Sequence, residues 1–332
     1  MTPITEPYSP QHRGFARLVF AAAVVTFLMI TIGAITRVTE SGMGCGTDWP
    51  HCNGKIIPEF ADYTVVIEYA HRLFALLVGG FAVAVVIGAN RLYRRTPRVW
   101  IPAVMGVVLF FAQSALGALT VFMSNQWVSV MLHLGNSLLM MACYWVAWVN
   151  AREPDPMDRK SAFPLTEVLF ATVFTYIVVL VGAVVAGNYA TNSCVGWPLC
   201  LGEVWPVNQG TLQQLNMFHR LIATLLGVVL LWLVVRAYQR KANRITRLAL
   251  GVACAMYLTQ SAMGAGIALA LVPQWLQVAF RGLHVIFAAT TWSAMVVLCG
   301  VSWLQVLQQK QVALDSQGIM NSAPVRSGII SS

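Results

Sequence analysis

The chain has 332 residues, of which 58% are hydrophobic and 10% charged, with a mean hydropathy of +0.69 and a formal net charge of +9. Soluble domains carry about a quarter charged residues, so this composition excludes a soluble globular fold and places the chain in a membrane. The basic residues are scattered among loops and form no single patch, which excludes nucleic acid as a partner.

Apolar runs near the length of a bilayer crossing predict eight helices, at about 15–36, 65–90, 101–122, 127–149, 165–186, 213–235, 247–271 and 276–305. The first run follows His12, Arg13 and Arg17, as a signal-peptide hydrophobic region would, but it is too long and no small-residue cleavage site follows, so a retained span is expected. Lys and Arg set the orientation, because basic residues near span ends resist translocation. Sixteen of the 21 lie at the N-terminus (Arg13, Arg17), in 91–100 (Arg91, Arg94, Arg95, Arg98), in 150–164 (Arg152, Arg159, Lys160), in 236–247 (Arg236, Arg240, Lys241, Arg244, Arg247) and in the tail (Lys310, Arg326). The alternate loops 37–63, 123–126, 187–212 and 272–275 hold only Arg37 and Lys55, so both termini are expected in the cytoplasm and the alternate loops outside. The basic loops also favour anionic membrane lipid.

The chain contains an internal repeat. "SGMGCGTDWPHCNG" at 41–54 is echoed by "NSCVGWPLCLG" at 192–202. Cys52 and Cys200 are 148 residues apart, as are His71 and His219, while "QSALGALTV" from Gln113 returns as "QSAMGAGIAL" from Gln260 at an offset of 147, and His133 and His284 follow at 151. Each half therefore reads as a span, a cysteine loop, a span with His-Arg, a span with Gln-Ser-Ala and a span with His. The expected fold is an all-α membrane protein of eight transmembrane helices in two tandem four-helix bundles, 15–150 and 165–305. They are flanked by an N-terminal segment 1–14, a cytoplasmic linker 151–164 and a polar tail 306–332.

Four histidines inside spans need a reason, because ionisable groups there are costly and face a bundle interior or a cavity. His71, His133 and Gln113 lie one to two turns from the outer ends of their helices, and His219, His284 and Gln260 do likewise. Two neutral imidazoles from facing helices can ligate a haem iron, with Gly79, Gly80, Gly117, Gly264 and Gly266 leaving space for the macrocycle. Interhelical hydrogen bonding is the plainer reading of any single histidine, but repetition at four matched positions favours ligation. Two histidines per bundle fall short of a zinc or copper ligand set. Cys143, Cys254 and Cys299 have no matched partners and read as packing residues.

The ordered motifs "TRVTESGMGCGTDWPHCNG", "EYAHR", "QSALGALTV", "MFHR" and "GLHVIFAATTW" resemble those of the haem A synthase family, over about residues 14 to 305. The resemblance implies an oxidoreductase of the bacterial-type cell membrane that oxidises a porphyrin methyl of haem O to the formyl group of haem A, for haem-copper oxidases. It implies a cofactor haem b on His219 and His284 in the C-terminal bundle, and substrate haem O on His71 and His133 in the N-terminal one. Haem O synthase and an electron-transfer protein are the partners it admits.

Glu68 precedes His71 by three residues, on the same helix face, whereas the matching position is Asn216. A carboxylate beside the substrate could move protons or stabilise cationic character as a C–H bond is oxidised; an ion pair to Arg72 is the competing role. Arg72, Arg220 and Arg281 are candidate partners of haem propionates, with lipid headgroups as the alternative. Both cysteine pairs, Cys45–Cys52 and Cys194–Cys200, are expected as disulfides in an oxidising exterior, each stapling a cap over its site. The resemblance suggests a redox role for the first pair. Two other functions compete: a cytochrome b carrying electrons between permanent bis-histidine haems, and a quinone-linked thiol oxidoreductase, which would favour the closer Cys-x-x-Cys spacing.

Overall fold

The structure, a computed structural model, describes residues 10–152, 163–269 and 271–322. Arg159, Lys160 and Arg326, which contribute to the expected topology, lie outside those residues, as do most of the linker and the end of the tail. The described residues form eight helices: α1 Pro10–Val38, α2 Tyr63–Leu92, α3 Pro97–Phe122, α4 Trp127–Ala151, α5 Leu165–Gly187, α6 Thr211–Gln239, α7 Arg244–Ala268 and α8 Gln274–Ser322, with a 3₁₀ turn at Ala190–Asn192. Eight helical segments are long and apolar enough to cross a membrane, and the protein is a multi-pass membrane protein.

Local chemistry sets the helix ends. Asp62 accepts from the Thr64 N–H at 2.9 Å ahead of α2, and Asn243 accepts from the Thr246 N–H at 2.8 Å ahead of α7. Pro97 opens α3, where its missing N–H costs nothing. Ser124 and Asn125, both left-handed, reverse the chain between α3 and α4. Within the helices, hydroxyls such as Thr26, Thr172 and Thr175 bond the carbonyl four residues back, which satisfies them where lipid offers no partner.

In the first half, α1 packs on α2 and α4, and α3 on α2 and α4; in the second, α5 packs on α6 and α8, and α7 on α6 and α8. Each quartet thus closes into a ring, an arrangement consistent with two four-helix bundles. Each has its own apolar core, one around Val19, Val85 and Tyr144, the other around Leu230, Leu250 and Met295. Cys254 and Cys299 pack against the second core, as expected of them. The halves meet where α4 touches α5 and α8 and α1 touches α8. A third cluster of Ile30, Leu138, Met141, Ala289, Trp292 and Val296 fills that seam, and the Trp292 indole donates to the Leu138 carbonyl at 3.0 Å. Large apolar side chains such as Leu76, Phe111, Leu231 and Leu258 point outward, while Glu68, Asn216 and Gln260 are buried. This inversion of the soluble pattern is what a lipid surround requires.

Helix α8 runs to Ser322, well past the expected end near 305. The polar residues there are mostly good helix formers, so the helix outlasts the hydrophobic span.

Candidate functional site

The cysteine loops are built alike. Cys45 and Cys52 are joined with Cα atoms 4.4 Å apart, and Cys194 and Cys200 with Cα atoms 5.0 Å apart. After each second cysteine the chain makes a two-residue hairpin turn, Asn53-Gly54 in one loop and Leu201-Gly202 in the other, with all four residues at positive φ. That backbone suits Asn and Gly, while Leu201 adopts it against its preference.

Each loop is tied to the helix that follows it. In α2 the carboxylate of Glu68, only 4% exposed, accepts from the Cys45 N–H at 2.8 Å and from Arg72 at 2.6 Å, and Arg72 also donates to the His51 carbonyl at 2.7 Å. In α6 Asn216 does this work without a charge, donating to the Ala190 carbonyl at 2.7 Å and accepting from Arg220 Nε at 2.9 Å. The two remaining nitrogens of Arg220 reach the carbonyls of Cys194 (2.7 Å), Gly196 (2.6 Å) and Leu199 (3.0 Å). Arg72 and Arg220 thus tie the cysteine loops to α2 and α6. Arg281 differs: it donates to Asn192 and Gln277 at 3.3 and 3.2 Å, and its Nε is buried with no partner.

Beneath each loop lies a pair of histidines. His71 stands eight residues into α2 and His133 six into α4, while His219 stands eight into α6 and His284 ten into α8. At about 1.5 Å per residue all four sit roughly 10 to 15 Å below the cysteine-loop side of the helices. His71 and His133 stand on opposite helices of the first ring, α2 and α4, and His219 and His284 on opposite helices of the second, α6 and α8. The Nδ1 atoms of His71, His133 and His219 are buried without partners, and His284 Nδ1 lies 2.8 Å from the Gln260 carbonyl. Gln113 sits at the same level but accepts from Asn136 at 2.7 Å, and Gln260 Oε1 is buried without a partner.

Each imidazole rests against a glycine on the helix before its own. A Cβ added at Gly33 would lie 3.3 Å from His71 Cε1, at Gly117 3.3 Å from His133 Cε1, at Gly182 3.0 Å from His219 Cε1 and at Gly264 3.5 Å from His284 Cε1. Gly117 and Gly264, expected to clear space for a macrocycle, thus back histidine rings. Gly79 backs the Phe110 ring, Gly266 lies nearest Val272 and Phe280, and Gly80 faces open space. Gly33 and Gly182 carry no sequence expectation, although the repeat places them 149 residues apart.

Among the described residues, no three His, Cys, Asp or Glu side chains gather to hold a bare metal ion. A pair of imidazoles in an apolar interior suits an iron whose other four ligands come from a macrocycle, so the donor set of each half fits a haem.

Fold and site together define a polytopic membrane protein with two matched paired-histidine centres, one of them beside a buried carboxylate. Residues 16–296 match the family described as cytochrome oxidase assembly protein, COX15-CtaA, and the chain belongs to that family. Among relatives, it is 32% identical over 257 residues to a haem A synthase of an Exiguobacterium species, covering 76% of this chain and 84% of the relative. It is 31% identical over 292 residues to a haem A synthase of Symbiobacterium thermophilum, covering 84% and 92%, and 30% identical over 265 residues to one of Shouchella clausii, covering 78% and 88%.

Proposed function

We infer that the chain is a haem A synthase, a membrane oxidoreductase that converts haem O to haem A by oxidising a ring methyl to a formyl group. The observation that carries the reading is the recurrence of four half-buried histidines at one depth in two repeated halves, with a buried carboxylate, Glu68, beside one pair and a neutral Asn216 at the matching place. In the proposed assignment the N-terminal half, about 15–150, takes the substrate and the C-terminal half, about 165–305, the cofactor.

His219 and His284 would hold haem b, and Arg281, with its unpaired buried Nε, would meet a propionate. Haem b, when bound, supplies one-electron redox chemistry. His71 and His133 would bind the iron of haem O and so hold the substrate on the side of α2 that carries Glu68. Both Glu68 oxygens already have donors, from Arg72 and the Cys45 N–H, yet a carboxylate oxygen accepts more than one hydrogen bond. The anchored carboxylate is thus available to take up protons and to stabilise positive charge as the methyl C–H bonds are oxidised. The Cys45–Cys52 loop covers the site, and Arg72 ties it down.

The sparse basic residues of the cysteine-loop side favour its lying outside a bacterial-type cell membrane, with both termini in the cytoplasm. Haem O synthase and an electron-transfer protein are the partners proposed. Co-expression with a source of haem O, followed by pigment extraction and mass analysis, tests the reading: haem A is expected, and two stoichiometric, non-exchangeable haems b without product would overturn it.

A further inference from the structure

We propose that Gly33, Gly117 and Gly182 are positioning residues, each a seat that fixes the ring of one haem-ligating histidine, while Gly264, at the matching place, leaves room for a methyl and does not fix its ring. The inference rests on the ligation reading above.

The four glycines share one construction. Each glycine lies four or five residues before the end of its helix, α1, α3, α5 or α7, and each faces the histidine of the next helix in the chain. In every case the atom nearest the absent Cβ is the imidazole Cε1, at 3.0 to 3.5 Å. Glycine weakens a helix interior relative to alanine, so its presence at all four places has a cause beyond the helices themselves. Other interior glycines serve packing: Gly79, Gly106 and Gly227 face the rings of Phe110, Tyr144 and Tyr257 at 2.6, 2.6 and 2.5 Å, none of which is a candidate ligand.

The seats act through the ligand bond. An imidazole without a metal can rotate by the few tenths of an ångström that a new methyl demands. A ring whose Nε2 is bound to iron cannot, because any displacement of Cε1 tilts or stretches that bond. A methyl at a seat should therefore disturb haem binding while sparing the fold. The distances rank the four: Gly182 is tightest, Gly33 and Gly117 are equal, and Gly264 leaves ordinary van der Waals space. His284 is held a second time, from the same helix as Gly264, by the Gln260 carbonyl at 2.8 Å.

The test uses the purified full-length protein with its resident haem, comparing Gly33→Ala, Gly117→Ala, Gly182→Ala, Gly264→Ala, His71→Ala and a control, Gly251→Ala, where an added Cβ meets nothing within 4 Å. Gly182→Ala should shift the low-spin optical and paramagnetic signature of the resident haem or lower its stoichiometry, while Gly264→Ala and Gly251→Ala match wild type. Gly33→Ala and Gly117→Ala should leave that signature intact, which reports a sound fold, and bind added haem O about tenfold or more weakly. Should Gly182→Ala fail to accumulate, the Gly33 and Gly117 variants decide alone. Wild-type haem O affinity in both, alongside loss of binding in His71→Ala, would overturn the seats and leave the ligation reading standing. Wild-type affinity in His71→Ala as well would overturn both, and Gly264→Ala as damaging as Gly182→Ala would refute the ranking on which the seats rest.

Discussion

Replacing Glu68 with Gln removes one charge at nearly constant volume. An exposed pair such as Lys55–Glu59, whose side chains are 56% and 80% accessible, contributes about 0.3–0.5 kcal/mol. Glu68 and Arg72 are 5% and 16% accessible, and the carboxylate also holds the Cys45 N–H. Removing one member of a buried pair costs about 3–5 kcal/mol. Arg72 keeps the His51 carbonyl at 2.7 Å, which sets the expectation at the lower end, about 3 kcal/mol. The Gln amide also turns its NH₂ toward either Arg72 or the Cys45 N–H, so donor meets donor. A loss of that size raises the population with the cap detached by about 100-fold. Two measurements check it: hydrogen exchange at the Cys45 amide, expected to accelerate by about that factor, and the ratio of haem O to haem A extracted from membranes at matched protein levels, expected to shift strongly to haem O. Arg72→Ala separates the roles, since it loosens the cap but keeps the carboxylate; more haem A from that variant than from Glu68→Gln assigns the difference to proton chemistry. Wild-type exchange and wild-type haem A in Glu68→Gln would refute the reasoning.

His219→Ala and His284→Ala should each remove most of the resident haem, read as loss of the low-spin spectrum, whereas His71→Ala and His133→Ala should spare it and abolish haem A formation. Converting Cys45 and Cys52 together to Ser should lower stability by about 2–3 kcal/mol, measured by thermal unfolding in detergent, because the short ring no longer restrains the unfolded chain. Arg281→Gln should weaken retention of the resident haem on dilution into haem-free micelles, with the disulfide of the neighbouring loop unchanged by mass mapping. Trp292→Phe removes the indole hydrogen bond at the seam between the halves while the Leu138 carbonyl keeps its helical partner, and should cost about 0.5–1.5 kcal/mol in the same thermal assay.

The number and order of the helices could be read from hydropathy because bilayer thickness imposes a length that composition records directly. The ends were harder: α1 starts at Pro10 and α8 continues to Ser322, since a helix is free to outrun its apolar stretch. The histidine pairs emerged from the repeat, and the i, i+3 spacing placed Glu68 on the His71 face. What Arg72 and Arg220 bind could not emerge, because it depends on carbonyls presented by the folded cysteine loops, and no periodicity encodes a loop backbone. Gly33 and Gly182 had a signal, their matched positions in the repeat, but glycine is common in membrane helices and its meaning lies in a contact with another helix.

The replacement of Glu68 by Asn216 leaves the two centres with different charge. Arg72 is neutralised by its carboxylate, whereas Arg220 and Arg281 are met by amides and carbonyls alone, so two uncompensated cations stand near His219 and His284. A porphyrin brings two propionates. Under the proposed assignment the C-terminal half matches that dianion and the N-terminal half does not, and in a poorly screened interior the mismatch bears directly on residence time. One duplicated scaffold would then grip a permanent haem and release a transient one, with the difference written at two positions, Asn216 in place of Glu68 and Arg281 in place of Val130.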